Sequence, residues 1–320
     1  MENKYTPLVS IIIITYNSAE YVCDTLNSAI NQTYRNIEII ITDDNSSDNT
    51  VDVCNKWITD HSSANIPMHL ITTYKNTGTS GNCNRGLELA NGEWIKVIAG
   101  DDILTLDAIQ NYVDYIKLHP STKHLIANKI LFKDTAELSN IHVQTKSSKY
   151  LFREELSAKE QYDIITKMFF GSGPTYFVNT TLLRQLGGYD ERFPLLEDYP
   201  LYIKMIGIGH KMEYMDKVTV YYRVSETSVS HSKQQYSIFT KNQIRMIKEY
   251  KYLYRAERLN GLWKLFHHYS LWLQNVILYL GNSNKKPLCA FVKMIYSITD
   301  PFVLYAHYIQ HKERVYLKHQ

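Results

Sequence analysis

The sequence predicts an α/β protein with an open, doubly wound, mainly parallel sheet. Residues Val9–Thr15 (VSIIIIT) and Ile37–Ile41 (IEIII) are continuous apolar runs rich in isoleucine, the pattern of strands buried on both faces. Strand and helix patterns alternate three times in about the first 100 residues. The unusual polar residues gather where those strands end: Asn17, Asp43 and Asp44, Gly78, Asp101 and Asp102. Ligands of such sheets bind outside the C-terminal strand ends. Turn chemistry alone predicts polar residues there, but not carboxylates on two neighbouring strands.

Taken in order, Tyr16-Asn17-Ser18 closes the first strand and 19–31 reads as a helix. After the second strand comes DDNSSDNT (43–50), then a helix over 50–60 with Ser47 or Asp48 as its N-cap. A third strand covers 69–73, followed by NTGTSG (76–81), a helix over 81–90 and the turn Asn91-Gly92. The fourth strand, Trp94–Ala99, runs straight into Asp101 and Asp102. Paired carboxylates at the end of a buried strand repel each other and are hard to keep ionised without a neutralising cation. A hard divalent ion, Mg2+ or Mn2+, placed between such acids and a substrate's phosphates is one reading. A turn or helix N-cap, both favoured by aspartate, is the other.

Further on, a helix over 106–119 stops near Pro120, 125–132 is a strand, and 133–148 is a polar surface loop. A helix over 157–170 leads to the flexible turn 171–175, a strand at 176–178, and a short helix ended by Gly187-Gly188. The stretch YDERFPLLEDY (189–199) precedes a helix from Pro200 to Gly207, with proline in its first turn, and then a strand over 215–223. A serine-rich mobile loop covers 224–235, and from 236 only helices are expected. The apolar ones, 262–280 and 288–309, carry Lys264, His267, His268 and Gln274, and Lys293, Asp300 and Pro301, so neither reads as a transmembrane span. They read as helices lying in a membrane interface or as a helical cap or homodimer surface.

With 320 residues, 44% hydrophobic and 21% charged, the chain suits one large domain plus an appendage and is not a disordered protein. The net charge of +3 conceals an asymmetry. Residues 233–320 hold 14 Lys/Arg against 4 Asp/Glu; the rest of the chain holds 21 against 28. An acidic body (1–232) with a basic, tyrosine-rich tail (233–320) is expected to meet an anionic surface through that tail. Four cysteines without paired spacing suggest a reducing compartment. The polar N-terminus enters a strand directly, with no signal peptide expected.

The ordered set VSIIIITYN, ITDDNSSDNT, NTGTSGNCNRGLELANGEW, AGDDIL and LGGYDERFPLLEDYPL closely resembles the inverting family 2 glycosyltransferases, of GT-A fold. The likeness covers about residues 7–228, and five motifs in order are far more specific than a lone Gly-Asp-Asp. It implies nucleotide-sugar binding by about 7–104 and acceptor binding by about 105–232. On that likeness, Thr15, Tyr16 and Asn17 line the nucleotide pocket, with Tyr16 against the base. Asp43 or Asp44 takes the base edge or ribose hydroxyls, Asp43 being preferred for the base. Gly78 and Arg85 belong to a segment closing over the nucleotide, and Arg85 pairs with a phosphate or a carboxylate, or is a solvated helix residue. Asp102 and Asp101 hold the metal, although Ala99 stands where many relatives carry a further acid. Asp198, beside Glu197, is the general base, or the two are simply acids at a helix N-terminus. Arg223 and the segment Ser225–Ser232 lie where relatives have a loop that orders over the donor; Arg223 or His231 is a candidate diphosphate contact, with a solvent-exposed histidine the alternative for His231.

The activity so implied is metal-dependent transfer of one sugar, with inversion, from a nucleoside diphosphate sugar (UDP-linked by preference) to a saccharide hydroxyl. A lipid-linked acceptor, surface-polysaccharide assembly and a cytoplasmic location on the inner membrane face complete the expectation; nucleic acid is not among the expected partners. A sugar-phosphate nucleotidyltransferase is the enzyme alternative, but TYNSAEYV lacks its Gly-rich, basic loop. A degenerate GT-A-like binding module is the non-enzyme alternative. A dinucleotide-binding dehydrogenase is disfavoured because no GxGxxG follows the first strand.

Overall fold

The computed structural model describes residues 5–133, 141–145, 150–168, 173–224, 261–281 and 286–318. The chain divides into two compact units, Met1–Ser147 with Gly171–Ser225, and Ser148–Phe170 with Glu226–Gln320. The sequence boundary at 232 put 148–170 in the catalytic body; here that segment groups with the C-terminal helices.

The first unit is built on β1 (Val9–Thr15), β2 (Ile37–Asp43), β3 (Met68–Thr72) and β4 (Trp94–Ala99). They pair in parallel in the order β3-β2-β1-β4. Between them run α1 (Val22–Ile30), α2 (Thr50–Asp60) and α3 (Gly78–Leu89). The isoleucine runs are buried because helices cover both faces. Ile11 and Ile13 join Val22, Leu26 and Ala29 of α1 in the core. Ile12 points the other way, where α3 approaches so closely that a Cβ on Gly86 would lie 2.3 Å from Ile12 Cγ2. Each such isoleucine contributes about 1.5–3 kcal/mol by burial.

Past β4 the sheet becomes mixed. β5 (Ile103–Leu104), β6 (His124–Phe132), β7 (Ile141–Thr145), β8 (Phe177–Asn179) and β9 (Glu213–Arg223) complete it, with α4 (Ala108–Leu118), α6 (Thr180–Gln185) and α7 (Asp198–Gly207) between. The order continues β4-β8-β6-β9-β5, with β7 on β6; β8 is antiparallel to both neighbours and β6 runs parallel to β9. Trp94, Phe177 and Tyr112 of α4 stack in series, with centroids 4.9 and 4.8 Å apart.

Several boundaries differ from the sequence reading. β5 is two residues long and held by pairing with Tyr221 and Val220, too short to carry a period. β7 forms inside a stretch read as loop, because IHVQT pairs with the edge of β6. The residue before α2 is Asn49, which makes no side-chain cap bond, while Asp48 Oδ1 accepts from Thr50 N at 3.0 Å. α7 begins at Asp198, two residues ahead of Pro200, so both precede the point where proline was expected to open the helix.

In the second unit, α5 (Ala158–Ile165) starts with a capping box between Ser157 and Glu160. The C-terminal helices are α8 (Leu262–Tyr279), α9 (Pro287–Thr299) and α10 (Pro301–Lys318). The span read as one helix over 288–309 breaks at Asp300, whose Oδ1 accepts from Phe302 N and Val303 N, with Pro301 opening the next helix. Among the described residues no single helix is long and apolar enough to cross a membrane. α9 and α10 pass that test only together, bent by 55°. Leu262, Leu265, Trp272 and Tyr279 of α8 and Leu288, Phe291, Met294 and Ile298 of α9 are exposed.

Candidate active site

Residues from the ends of β1 and β2 form the first part of the site. Thr15 Oγ1 donates to Asp43 Oδ2 at 2.8 Å, and Ser46 N donates to Asp43 Oδ1 at 2.9 Å. Asn17 adopts φ 51°, donates its N–H to Ser46 Oγ at 2.8 Å and accepts from Ser47 N at 2.8 Å. Between them Tyr16 is 51% exposed, leaving ring surface on which a planar base can stack. Thr15, Tyr16, Asn17 and Asp43 therefore stand together.

Asp44 lies in a second network. It accepts from Thr77 N at 3.0 Å, Thr77 Oγ1 at 2.8 Å, Gly78 N at 2.7 Å and Arg85 Nη2 at 2.6 Å. Arg85 also donates to Thr77 Oγ1 at 2.8 Å and Asn82 Oδ1 at 2.9 Å. Of its readings, pairing with a carboxylate is the one observed. Gly78 has φ +79°, and a Cβ there would lie 2.5 Å from Pro194 O. Glycine alone fits that backbone and that contact.

The turn after β4 carries Asp101 and Asp102. Gly100 N donates to Ile14 O at 2.9 Å, which sets this turn beside the end of β1. Asp102 is buried, its Oδ1 accepts from Arg223 N at 2.9 Å and its carbonyl accepts from Thr25 Oγ1 at 2.6 Å. Arg223, one of the two candidate diphosphate contacts, places its buried guanidinium on the turn itself. Nε donates to Asp101 O at 2.9 Å, Nη2 to Asp24 Oδ2 at 2.8 Å, and the group lies over the rings of Tyr21 and Phe132. His231 and Ser225–Ser232 lie outside the described residues.

Burial, then the Asp101 charge, pushes the Asp102 carboxyl well above the usual carboxylate range, and burial raises Asp101 too. A buried pair of this kind calls for a cation. Among the described residues no three His, Cys, Asp or Glu converge as a metal cluster. Two hard carboxylates nevertheless fit a divalent ion whose other ligands are water and substrate phosphate oxygens.

Asp198 and Glu197 stand at the start of α7. Asp198 is buried, and its Oδ1 accepts from Tyr199 N at 2.7 Å. Burial, then the Asp198 charge, raises Glu197 to about 8. The two acids therefore resist carrying two charges at once, and the helix N-terminus favours a single negative charge on the pair. Cys83, Tyr176 and Tyr189 are near enough to feel the Glu197 charge, and the two tyrosine hydroxyls share a hydrogen bond at 2.6 Å. Lys129, on β6, sits with its ammonium 4.4 Å from the Tyr222 ring centroid and is attracted by both Asp102 and Asp198. The sequence reading missed Asp24, Lys96 and Lys129. A lysine inside an apolar strand, as in WIKVIA and ANKILF, is the signal that marks two of them.

A mainly parallel α/β sheet with acid pairs after the fourth strand and before α7 is the architecture of a GT-A nucleotide-sugar transferase. Residues 10–165 match the profile of glycosyl transferase family 2. The chain is 30% identical over 234 residues to the UDP-Glc:alpha-D-GlcNAc-diphosphoundecaprenol beta-1,3-glucosyltransferase WfaP of Escherichia coli, covering 71% of this chain and 81% of that protein. Its fold matches S. aureus TarS in complex with UDP-GlcNAc, at TM-score 0.57 and 17% identity over 95% of this chain and 92% of that one. It also matches the mannosyltransferase PcManGT of Pyrobaculum calidifontis in complex with GDP-Man and Mn2+, at TM-score 0.55 and 16% identity over 96% and 86%. The chain belongs to glycosyl transferase family 2. It is a glycosyltransferase that uses a nucleotide sugar.

Proposed function

We propose that this enzyme moves a sugar from a UDP-sugar to a hydroxyl of a lipid-linked saccharide, with inversion, in surface-polysaccharide assembly. The observation that carries the reading is that Lys129 feels the charge of both Asp102 and Asp198, which brings the two acid pairs within reach of one buried cation. WfaP is named for UDP-glucose and a diphosphoundecaprenol acceptor, and TarS was solved with UDP-GlcNAc, which supports the choice of donor and acceptor.

In this reading Tyr16 stacks on the base, while Thr15, Asn17 and Asp43 meet its edge. Asp44, Gly78 and Arg85 fix the loop that borders the nucleotide. Asp101 and Asp102 would hold Mg2+ or Mn2+, which supplies positive charge for the leaving nucleoside diphosphate; PcManGT was solved with Mn2+. Asp198, at the N-terminus of α7, takes the acceptor hydroxyl's proton as that oxygen attacks the anomeric carbon. Burial, then the neighbouring Asp198 charge, raises Glu197, which disfavours a second negative charge where the acceptor docks.

The basic tail and the exposed apolar residues of α8 and α9 support peripheral binding to an anionic membrane on its cytoplasmic face. Calorimetric titration of UDP with and without Mn2+, on wild type and Asp102→Ala, tests the donor site. Metal-dependent binding lost in the variant is expected. Binding of GDP but not UDP would overturn the donor assignment. Flotation with phosphatidylglycerol vesicles tests the surface, and a soluble dimer that ignores them would overturn it.

A further inference from the structure

Lys96 lies in the middle of β4 with no exposed surface. An ammonium there forfeits its hydration, a heavy loss unless hydrogen bonds replace it. Its Nζ donates to two carbonyl oxygens, Val97 O at 2.9 Å and Pro174 O at 2.5 Å. Pro174 is the centre of the 3-10 turn Gly173–Thr175, which leads into β8. The next carbonyl along, Thr175 O, accepts from the fully buried Tyr112 hydroxyl at 2.5 Å, and that hydroxyl also meets Thr219 Oγ1 at 2.8 Å. Two consecutive carbonyls of one short turn are thus held by buried side chains.

The first residue of that turn faces the acids of α7. A Cβ on Gly173 would lie 3.0 Å from Glu197 Oε1 and 3.5 Å from Asp198 Oδ2. The turn is a backbone wall against both carboxyls, and its position fixes theirs. β4 therefore has two tasks: it ends in Asp101 and Asp102, and from its middle it anchors the wall behind the other acid pair.

We propose that Lys96 is a positioning residue for Glu197 and Asp198, acting through the Pro174 carbonyl and the backbone of Gly173–Thr175. The proposal rests on the reading of Asp198 as the base. The competing route is through Asp102, which attracts the same ammonium. The two routes differ in what they disturb. Loss of the wall slows the chemical step and leaves nucleotide binding alone, whereas loss of charge beside Asp102 changes nucleotide binding.

The full-length wild type, Lys96→Met, Gly173→Ala and the double variant are compared in two assays, both with Mn2+. One is UDP release from UDP-glucose and from UDP-GlcNAc with water as acceptor, and the other is UDP affinity by calorimetry. Asp198→Asn is the control. Each single variant is expected to lower kcat by about 10- to 100-fold, the scale of a misplacement near 1 Å. UDP affinity stays at the wild-type value, and the double variant is no slower than the slower single one, because both changes act on one turn. Weakened UDP binding in Lys96→Met, multiplied losses in the double variant, or a wild-type kcat in either single variant would overturn the proposal. Where Lys96→Met does not fold, Lys96→Gln is read in its place, with the same outcomes. Wild-type turnover in Asp198→Asn removes the base assignment itself. An inactive Asp198→Asn beside normal Lys96→Met and Gly173→Ala removes only the positioning role.

Discussion

Arg223 meets Asp102 through its backbone: the Arg223 N–H donates to Asp102 Oδ1 at 2.9 Å. The side chain then turns back to bind Asp101 O and Asp24, so one residue at the end of β9 fixes both acids of the turn. Arg223→Met keeps the backbone bond and removes the other two. Supports of this kind typically change metal affinity by about 10- to 100-fold. UDP affinity in Mn2+, measured by calorimetry, is expected to fall by about that factor, while Mn2+-free binding changes less.

Glu197 gives a stability signature with a defined sign. Its carboxyl is raised to about 8, so the folded protein keeps a proton that the unfolded chain releases above the usual range. Stability from this group is complete at acid pH and is lost as pH rises toward and through about 8. Glu197→Gln removes the titration. Its melting temperature is expected to fall less than that of wild type between neutral pH and pH 9.

His124 has the opposite slope. It is fully buried, neither ring nitrogen has a hydrogen-bond partner among the described residues, and burial lowers it to about 3. The folded protein holds it neutral while the unfolded chain takes up a proton below about 6.5. Stability is therefore lost as pH falls from about 6.5, by about 2 kcal/mol at pH 5. Denaturant titrations at both pH values should show this loss in wild type and a flatter profile in His124→Leu.

Gly78 tolerates no side chain. Its φ of +79° strains any L-residue, and an added methyl meets Pro194 O and Cβ at 2.5 and 2.6 Å. Gly78→Ala is expected to cost about 2 kcal/mol or more in denaturant titrations, with a loss of sugar transfer that exceeds the loss of fold.

The first four strands and the acids after β4 were legible in the sequence because each strand is a short, largely apolar segment that ends in polar residues. Pattern fails where the determining partner is remote. Arg223 reads as a pocket residue from its place in the chain, yet its partners Asp101 and Asp24 lie 122 and 199 residues away. Proline misled at α7: Pro200 suggested the helix start, but Asp198 and Tyr199 already occupy the first two helical positions. The break at Asp300 was visible only as polar residues in an apolar run, since capping of Phe302 and Val303 is a matter of geometry. Lys96 went unmarked because a strand pattern does not tell a lysine that ends in solvent from one that ends on Pro174 O.

The loop that bears the acid pair is stitched to α3. Ser80 donates through N and Oγ to Pro194 O and Phe193 O at 3.1 and 2.8 Å, and Asn84 exchanges bonds with the backbone of Tyr189 at 3.0 and 2.8 Å. The segment from Tyr189 to Asp198 is therefore no transplantable cassette. A chimera that imports this loop from a relative, to borrow its acceptor preference, must import the matching face of α3 as well. Without Ser80, Asn84 and the bare backbone at Gly78, the grafted loop loses the contacts to α3 that set its register.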